Sequence, residues 1–426
     1  MKKTTIFLTV ITLLFVSLFS TGCNFDINEI FGNNDKITKL EQQIKDLEAE
    51  RDAANARIAD LERQLQDAEN KAAEKDAKIN ELEAQIKALK EEIARLKGEK
   101  VEDDLSVHFM MLGNKYAGDS VYIKAGDTDI LIDAGSRTGS AAVISEYINQ
   151  YVTDNVLEYV IATHADQDHI AGFAGDNKNK SIFELYKCET IIDFPRTGKS
   201  TATYNKYIAN RDKEVAEDGA VHYTALECYN NENGAKREYE LANGITLKIL
   251  YNFYYENKSA DENNYSVCLM IEQGEKKFLF TGDLEEKGEE YLVSENAEEL
   301  TPVKLFKAGH HGSKTSSNEV LLEKIQPEIC VVSCVCGTDE YTPAVANQFP
   351  TQAFIDRISK YTVKVFVTSM GDPDYTDGAA FVPMNGNVVV TSDATGVNVN
   401  CSNNNTYLKD TAWFKAKRTC PSYWAA

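Results

Sequence analysis

The chain has 426 residues, room for two or three domains, and 43% of them are apolar, enough for at least one substantial core. With 45 Lys and Arg against 67 Asp and Glu, its formal charge is −22, which argues against a protein whose main business is gripping nucleic acid through phosphates. That charge does not exclude an enzyme that meets a nucleotide or phosphodiester in a metal-lined cleft.

Met1-Lys2-Lys3 precedes an apolar run from Ile6 to Phe19 and then Ser20-Thr21-Gly22-Cys23. A basic start, an apolar run too short to span a bilayer comfortably and small residues at a cleavage point read as an export signal over residues 1–23. Ending at Gly-Cys, it resembles a bacterial lipoprotein signal, although Ser20 stands where such signals usually carry an aliphatic residue. The resemblance implies lipidation of Cys23 and a body held on the outer face of the bacterial cytoplasmic membrane. Export permits disulfides among the other eight cysteines, and Cys401 with Cys420, flanking a polar tail, is the expected bridge. Cys334 and Cys336 lie in an apolar, strand-like run and read as buried free thiols.

Residues 24–36 form a short polar linker, and an apolar heptad then runs unbroken over residues 37–97. Ile37, Ile44, Ile58, Leu65, Ile79, Ile86 and Ile93 hold a positions; Leu40, Leu47, Leu61, Leu82, Leu89 and Leu96 hold d positions. Ile at a with Leu at d favours a parallel two-stranded coiled coil, hence a homodimer. Arg51, Ala54, Ala68, Ala72 and Lys75 replace large knobs and weaken the middle. At 1.5 Å per residue the rod is roughly 90 Å long, and it reads as a stalk.

From residue 105 short β-like runs alternate with helical patterns. Strands are expected over 106–112, 120–124, 129–132, 156–162, 190–194, 245–251, 266–272, 277–281, 304–307, 329–335 and 363–368. Helices are expected over 141–151, 182–185, 204–214, 285–293, 318–325 and 351–360. Pattern alone gives a mixed α/β domain over 105–395, followed by an Asn-, Ser- and Thr-rich tail over 396–426 that ends in an aromatic, basic stretch expected to dock on the domain.

The strongest signal is Thr163-His164-Ala165-Asp166-Gln167-Asp168-His169-Ile170-Ala171-Gly172. Two of the six histidines in the chain and two aspartates fall within six residues, directly after the strand-like run 156–162. Imidazole and carboxylate together suit Zn²⁺ or Mn²⁺, and alternate residues of an extended segment can converge on one ion. Gly172 is expected to let the backbone turn tightly. The competing reading is a polar surface loop, which the scarcity of histidine disfavours.

The stretch resembles the H-x-H-x-D-H signature of the metallo-β-lactamase fold, with Asp166 in place of the second His. That variant resembles the extracellular domain of the ComEC/Rec2 competence proteins. Asn263-Asn264-Tyr265-Ser266-Val267, Phe280-Thr281-Gly282-Asp283 and Lys307-Ala308-Gly309-His310-His311-Gly312-Ser313-Lys314-Thr315-Ser316 follow in the family's order. Upstream, Ser120 to Ile123 and Ile130 to Gly135 resemble its first hairpin. The resemblance implies an αββα four-layer sandwich with one or two metal ions. His164 and Asp166 are expected at one metal position, Asp168 and His169 at the other, and Asp283 between them. One of His310 and His311 is expected to ligate metal, the other to hold a substrate phosphate or protonate a leaving group. We assign His310 to the metal and His311 with Asp168 to catalysis, and expect Ser313 and Lys314 to bind an anionic oxygen.

Two departures stand out. No clear His falls at the family's third motif, between Asp168 and Asp283, where His222 is a poor candidate. Gln348-Phe349-Pro350-Thr351-Gln352 replaces a His-Pro-His-Pro element. The expected function is metal-assisted hydrolysis of a phosphodiester or another small anionic substrate, single-stranded DNA included. The alternative is a non-catalytic or degenerate head that binds a cell-wall or protein ligand.

Overall fold

The computed structural model describes residues 34–97, 104–371 and 381–425, so the export signal, Cys23 and most of the linker lie outside the described residues. Contacts divide the chain into two compact units between Leu89 and Lys90. Helix α1, Asn34–Lys97, is one uninterrupted span that begins inside the expected linker. Ile44, Leu47, Ile58, Leu61 and Leu65 on its heptad face are 53–63% exposed on the single chain. No helix among the described residues is long and apolar enough to cross a membrane.

The second unit is built on two eight-stranded sheets. The first contains β1 (Leu105–Phe109), β2 (Val121–Ala125), β3 (Thr128–Ile132), β4 (Val156–Ile161), β5 (Lys187–Asp193) and β6 (Val221–Thr224), with β15 (Val388–Asp393) and β16 (Gly396–Cys401) on the far edge. The second contains β7 (Glu238–Ala242), β8 (Ile245–Leu250), β9 (Cys268–Gln273), β10 (Lys276–Phe280), β11 (Leu305–Lys307), β12 (Ile329–Cys336), β13 (Val365–Gly371) and β14 (Phe381–Pro383). Each sheet opens as an antiparallel meander and continues as a parallel run, β3 to β6 in one and β10 to β13 in the other.

Parallel neighbours need crossovers, and helices supply most of them. Helices α2 (Ser140–Ile148), α3 (Gln167–Ala174) and α4 (Ala202–Lys213) serve the first sheet, and α5 (Ala225–Asn230) follows β6. In the second sheet the crossovers are α6 (Glu286–Glu295), α7 (Glu319–Ile325) and α8 (Gln352–Ile358). Both sheets are apolar on both faces, as strands covered on two sides must be: β12 is buried at every position. Phe109 and Phe280 stack at 6.4 Å between the sheets, while Leu292, Leu321, Leu322, Phe354 and Ile358 cover the outer face of the second. The result is the expected αββα sandwich.

The expected boundary at residue 395 falls inside the β15–β16 hairpin, where Ser392 pairs with Val397. Beyond it, helix α9 (Ala412–Lys417) carries Trp413 and Phe414 into the outer core beside Trp424. Cys334 and Cys336 are buried thiols, as read. The bridge expected between Cys401 and Cys420 does not form, because both are free.

Candidate metal centre

Parallel strands release their chains on one side, and ligand sites gather outside carboxyl ends of this kind. Asp133 follows β3, His164 follows β4, Asp283 follows β10, and His310 and His311 follow β11. Glycines make the close approaches possible. A Cβ on Gly282, which has φ +53°, would lie 2.8 Å from Ser266 Oγ and 3.0 Å from Thr163 Cβ. Gly172 is not a turn residue as expected. It lies within α3, where a Cβ would come 2.3 Å from the Ala134 carbonyl oxygen. The segment is also not extended throughout: Asp166 caps α3, so Asp168 and His169 stand on a helical first turn.

Four of the expected residues converge. Ligand atoms of Asp168, His169, Asp283 and His311 all lie within 4.8 Å of one another. His311 Nε2 is 3.2 Å from Asp168 Oδ2 and 3.3 Å from Asp283 Oδ2. His169 Nε2 lies 3.1 Å from Asp283 Oδ2 without the alignment of a hydrogen bond. The outer nitrogens are held from behind: His169 Nδ1 meets Asp133 Oδ2 at 2.7 Å, and His311 Nδ1 meets the Ser333 carbonyl at 2.9 Å. Such partners fix the tautomer and point Nε2 inward, as around a metal. His164 packs on His169 with ring centroids 4.1 Å apart, and its Nε2 lies 3.7 Å from Asp166 Oδ2.

The donor set fits a divalent cation. His164 Nε2, His169 Nε2 and Asp283 Oδ1 are buried without a hydrogen-bond partner, a costly arrangement unless something binds there. Charge is balanced within the cluster. Burial pulls the His169 and His311 imidazoles down, but Asp283, with Asp133 on one side and Asp119 on the other, outweighs it and holds both well above the usual histidine range. Burial pushes Asp283 up, and His169 and His311 more than reverse it. His164, with burial and His169 both acting against its charge, is held below its ordinary value.

The two adjacent histidines lie in the reverse of the expected places, His311 within the ligand cluster and His310 outside it. His310 and His311 have φ of +45° and +54°, and this paired left-handed turn sends their rings to different places. His311 is buried in the cluster. His310 is partly exposed, with Nδ1 3.2 Å from Thr315 Oγ1 and 3.4 Å from Glu285 Oε1 and Asn263 Nδ2. Ser313 is buried and bonds Thr315 at 3.0 Å, while Lys314 is exposed. Asp166 ion-pairs with Lys199. His222 does not join the cluster; its Nε2 bonds Asp193 at 2.8 Å.

Sequence reasoning gave no role to several residues that shape the site. Asp119, after the first β-like run, is buried against Lys307 and stands 3.3 Å from His311 Nδ1. Asp133 accepts from Thr163 N and Oγ1, both at 2.8 Å, as well as meeting His169. Asp119, Asp133 and His169 form a second close acidic group, but its atoms already serve Lys307, Thr163 and the rear of the imidazole. Tyr341 donates to Asp168 Oδ2 at 3.0 Å. Phe349, where imidazoles were expected, lies 5.8 Å from both His310 and His311 and 5.3 Å from Tyr341, ring to ring.

Comparison with known proteins agrees with this geometry. The pattern of the Metallo-beta-lactamase superfamily matches residues 113–175 and 260–335, the two stretches that carry the clustered ligands. Recombination protein 2 of Haemophilus influenzae is 25% identical over 243 residues, 57% of this chain and 25% of that protein. Competence protein ComA of Neisseria gonorrhoeae is 25% identical over 253 residues, 59% of this chain and 30% of that protein. The chain thus spans under a third of the length of either relative. Among solved structures, the metallo-beta-lactamase fold protein YhfI from Bacillus subtilis is 12% identical, with a TM-score of 0.38, over 66% of this chain and 99% of that one. With its two sheets and clustered ligands, the second unit of this chain is a metallo-β-lactamase-fold domain resembling the ComEC/Rec2 competence proteins.

Proposed function

We propose that the chain is an exported, surface-anchored metal-dependent hydrolase acting on a phosphodiester or another small anionic substrate, single-stranded DNA included. What supports it most is the meeting of Asp168, His169, Asp283 and His311 at one place, beside buried ligand atoms that lack partners. Zn²⁺ suits this mixed imidazole and carboxylate set, with Mn²⁺ the alternative. When bound, such an ion supplies Lewis acidity toward the scissile group and makes water nucleophilic near neutral pH.

The residues of the chain do the rest. Asp133 and the Ser333 carbonyl present the His169 and His311 Nε2 atoms to the ion. Asp168 Oδ2 accepts from Tyr341 and faces the same space as His311 Nε2, so it would turn to the ion, which leaves Oδ1 to orient the attacking water and accept its proton. His310, beside Glu285 and Thr315, protonates the leaving oxygen. Lys314 meets an outer anionic oxygen, and the Ser313 hydroxyl fixes the loop between them. Phe349 and Tyr341 form an aromatic wall suited to a nucleobase or an aryl leaving group.

In this reading lipidated Cys23 holds the protein outside the cytoplasmic membrane, and two chains pair along residues 37–97. The exposed Ile and Leu face of α1 supports the pairing. The test is turnover of bis-p-nitrophenyl phosphate and single-stranded DNA by the full chain. Hydrolysis should vanish with chelator, return with Zn²⁺ or Mn²⁺, and be lost in Asp168→Asn. A metal-loaded protein that turns over neither substrate would contradict the hydrolase and leave a binding head.

A further inference from the structure

Resting on the metal-centre reading above, we infer that the centre takes a single divalent ion and that the ammonium of Lys199 stands in for a second. Two places beside the Asp168, His169, Asp283 and His311 group present further ligand atoms. One is the pair His164 and Asp166, whose Nε2 and Oδ2 lie 3.7 Å apart. Among the described residues no third His, Cys, Asp or Glu completes that pair within the reach that defines the main cluster. Its other carboxylate oxygen, Asp166 Oδ1, is taken by Lys199 Nζ. The second place is the acidic group around Asp119, and there Lys307 Nζ pairs with Asp119 Oδ2 and stands 3.8 Å from Asp283 Oδ1. Each flank of the main cluster therefore already holds a cation supplied by the chain.

Lys199 does not reach Asp166 from a free loop. It lies between β5 and α4 on a segment pinned to Glu262. Thr197 Oγ1 donates to Glu262 Oε1, and Gly198 N donates to Oε2 at 2.8 Å. Lys199 N then donates to Thr197 Oγ1 at 2.9 Å, and Arg196 Nε donates to the Tyr255 carbonyl at 3.2 Å. An ordered backbone leaves mainly the side chain to be fixed, so less entropy opposes the ion pair than for a surface lysine. A partly exposed ammonium at this position also faces any anionic substrate that enters, which is one service a second metal ion would perform.

The experiment is metal stoichiometry of the full chain, stripped by chelator, reloaded with Zn²⁺, desalted and analysed by plasma mass spectrometry. Lys199→Ala and Lys199→Glu are run beside the wild type, with circular dichroism melts to establish that each variant is folded. One ion per chain is expected in the wild type. Lys199→Glu, which puts a carboxylate oxygen where the ammonium stood, is expected to bind two, and Lys199→Ala to gain a second, weaker equivalent. Two ions in the wild type would overturn the inference while leaving the metal centre standing. One ion in all three proteins would also overturn it, since Lys199 would then exclude nothing. No ion in any of them would overturn the metal centre itself.

Discussion

Glu289 is the residue whose replacement reads the support of the site most sharply. It lies on α6, fully buried, and accepts from Ser317 N at 2.5 Å, Asn318 N at 2.8 Å and Asn318 Nδ2 at 3.0 Å. Arg357 braces the same turn, donating to the carbonyls of Ser317, Ser316 and Lys314 at 2.9, 2.8 and 3.1 Å. Together they hold the loop that follows His310 and His311, whose left-handed conformations cost of order 1–3 kcal/mol each and persist only where the surroundings enforce them. Burial pushes the Glu289 carboxyl up by more than the Asn318 and Ser317 hydrogen bonds and the Arg357 charge pull it down, leaving it at about 7. In the unfolded chain it titrates near 4.5. The native state therefore keeps a proton that the unfolded chain has released, so this stability is complete below 4.5 and lost as pH rises through about 7. At about 1.4 kcal/mol per pH unit, roughly 2 kcal/mol disappears between pH 5.5 and 8.5, a window above the isoelectric point near 4.8. Glu289→Gln mimics the protonated carboxyl and does not titrate. The wild type's stability relative to Glu289→Gln, from denaturant midpoints at matched slopes, should fall by about 2 kcal/mol across that window. A difference that stays flat, or grows in favour of the wild type as pH rises, refutes the reasoning.

Lys307 has its ammonium buried between Asp119 and Asp283 and bonds the Ala308 carbonyl at 3.0 Å. Lys307→Met should destabilise by about 3–5 kcal/mol because it strands buried carboxylates, and an unchanged melting temperature would refute that. His310→Ala should keep its metal and lose about 10²–10³-fold in turnover, whereas His311→Ala should lose the metal; equal metal loss in both would refute the division of roles. For the stalk, Ile58→Asp with Leu61→Asp should convert a dimer to a monomer by light scattering of the full chain at micromolar concentration. A monomeric wild type would refute the pairing.

The sequence made the ligand stretches legible because each combines scarce imidazole with a strand end, and strand ends are where the fold gathers its site. It set His310 and His311 in the reverse of the places they take, since two adjacent identical residues differ only through a left-handed turn, and the loop after that turn is braced by Glu289 and Arg357. Those braces were themselves hidden: a charged residue turned inward leaves no mark on a helical pattern. Asp119 was passed over because one aspartate beside a glycine reads as an ordinary turn. Gln348-Phe349-Pro350 registered only as missing imidazole, although the phenyl ring packs against both histidines. The edge strands β6, β7, β14 and β16, with β15 beside the last, were missed for another reason. They are short or half-exposed, and the Asn-rich composition of β16 masks the alternation of Val397, Val399 and Cys401, which pack against the core.

The central claim is that Asp168, His169, Asp283 and His311 hold a catalytic ion. Anomalous diffraction from crystals of the Zn²⁺-loaded protein, recorded at the metal edge, tests it most directly. The account predicts a peak about 2.0–2.1 Å from His169 Nε2 and His311 Nε2 and about 2.0–2.2 Å from carboxylate oxygens of Asp168 and Asp283. A peak elsewhere, or none at these residues, would contradict it.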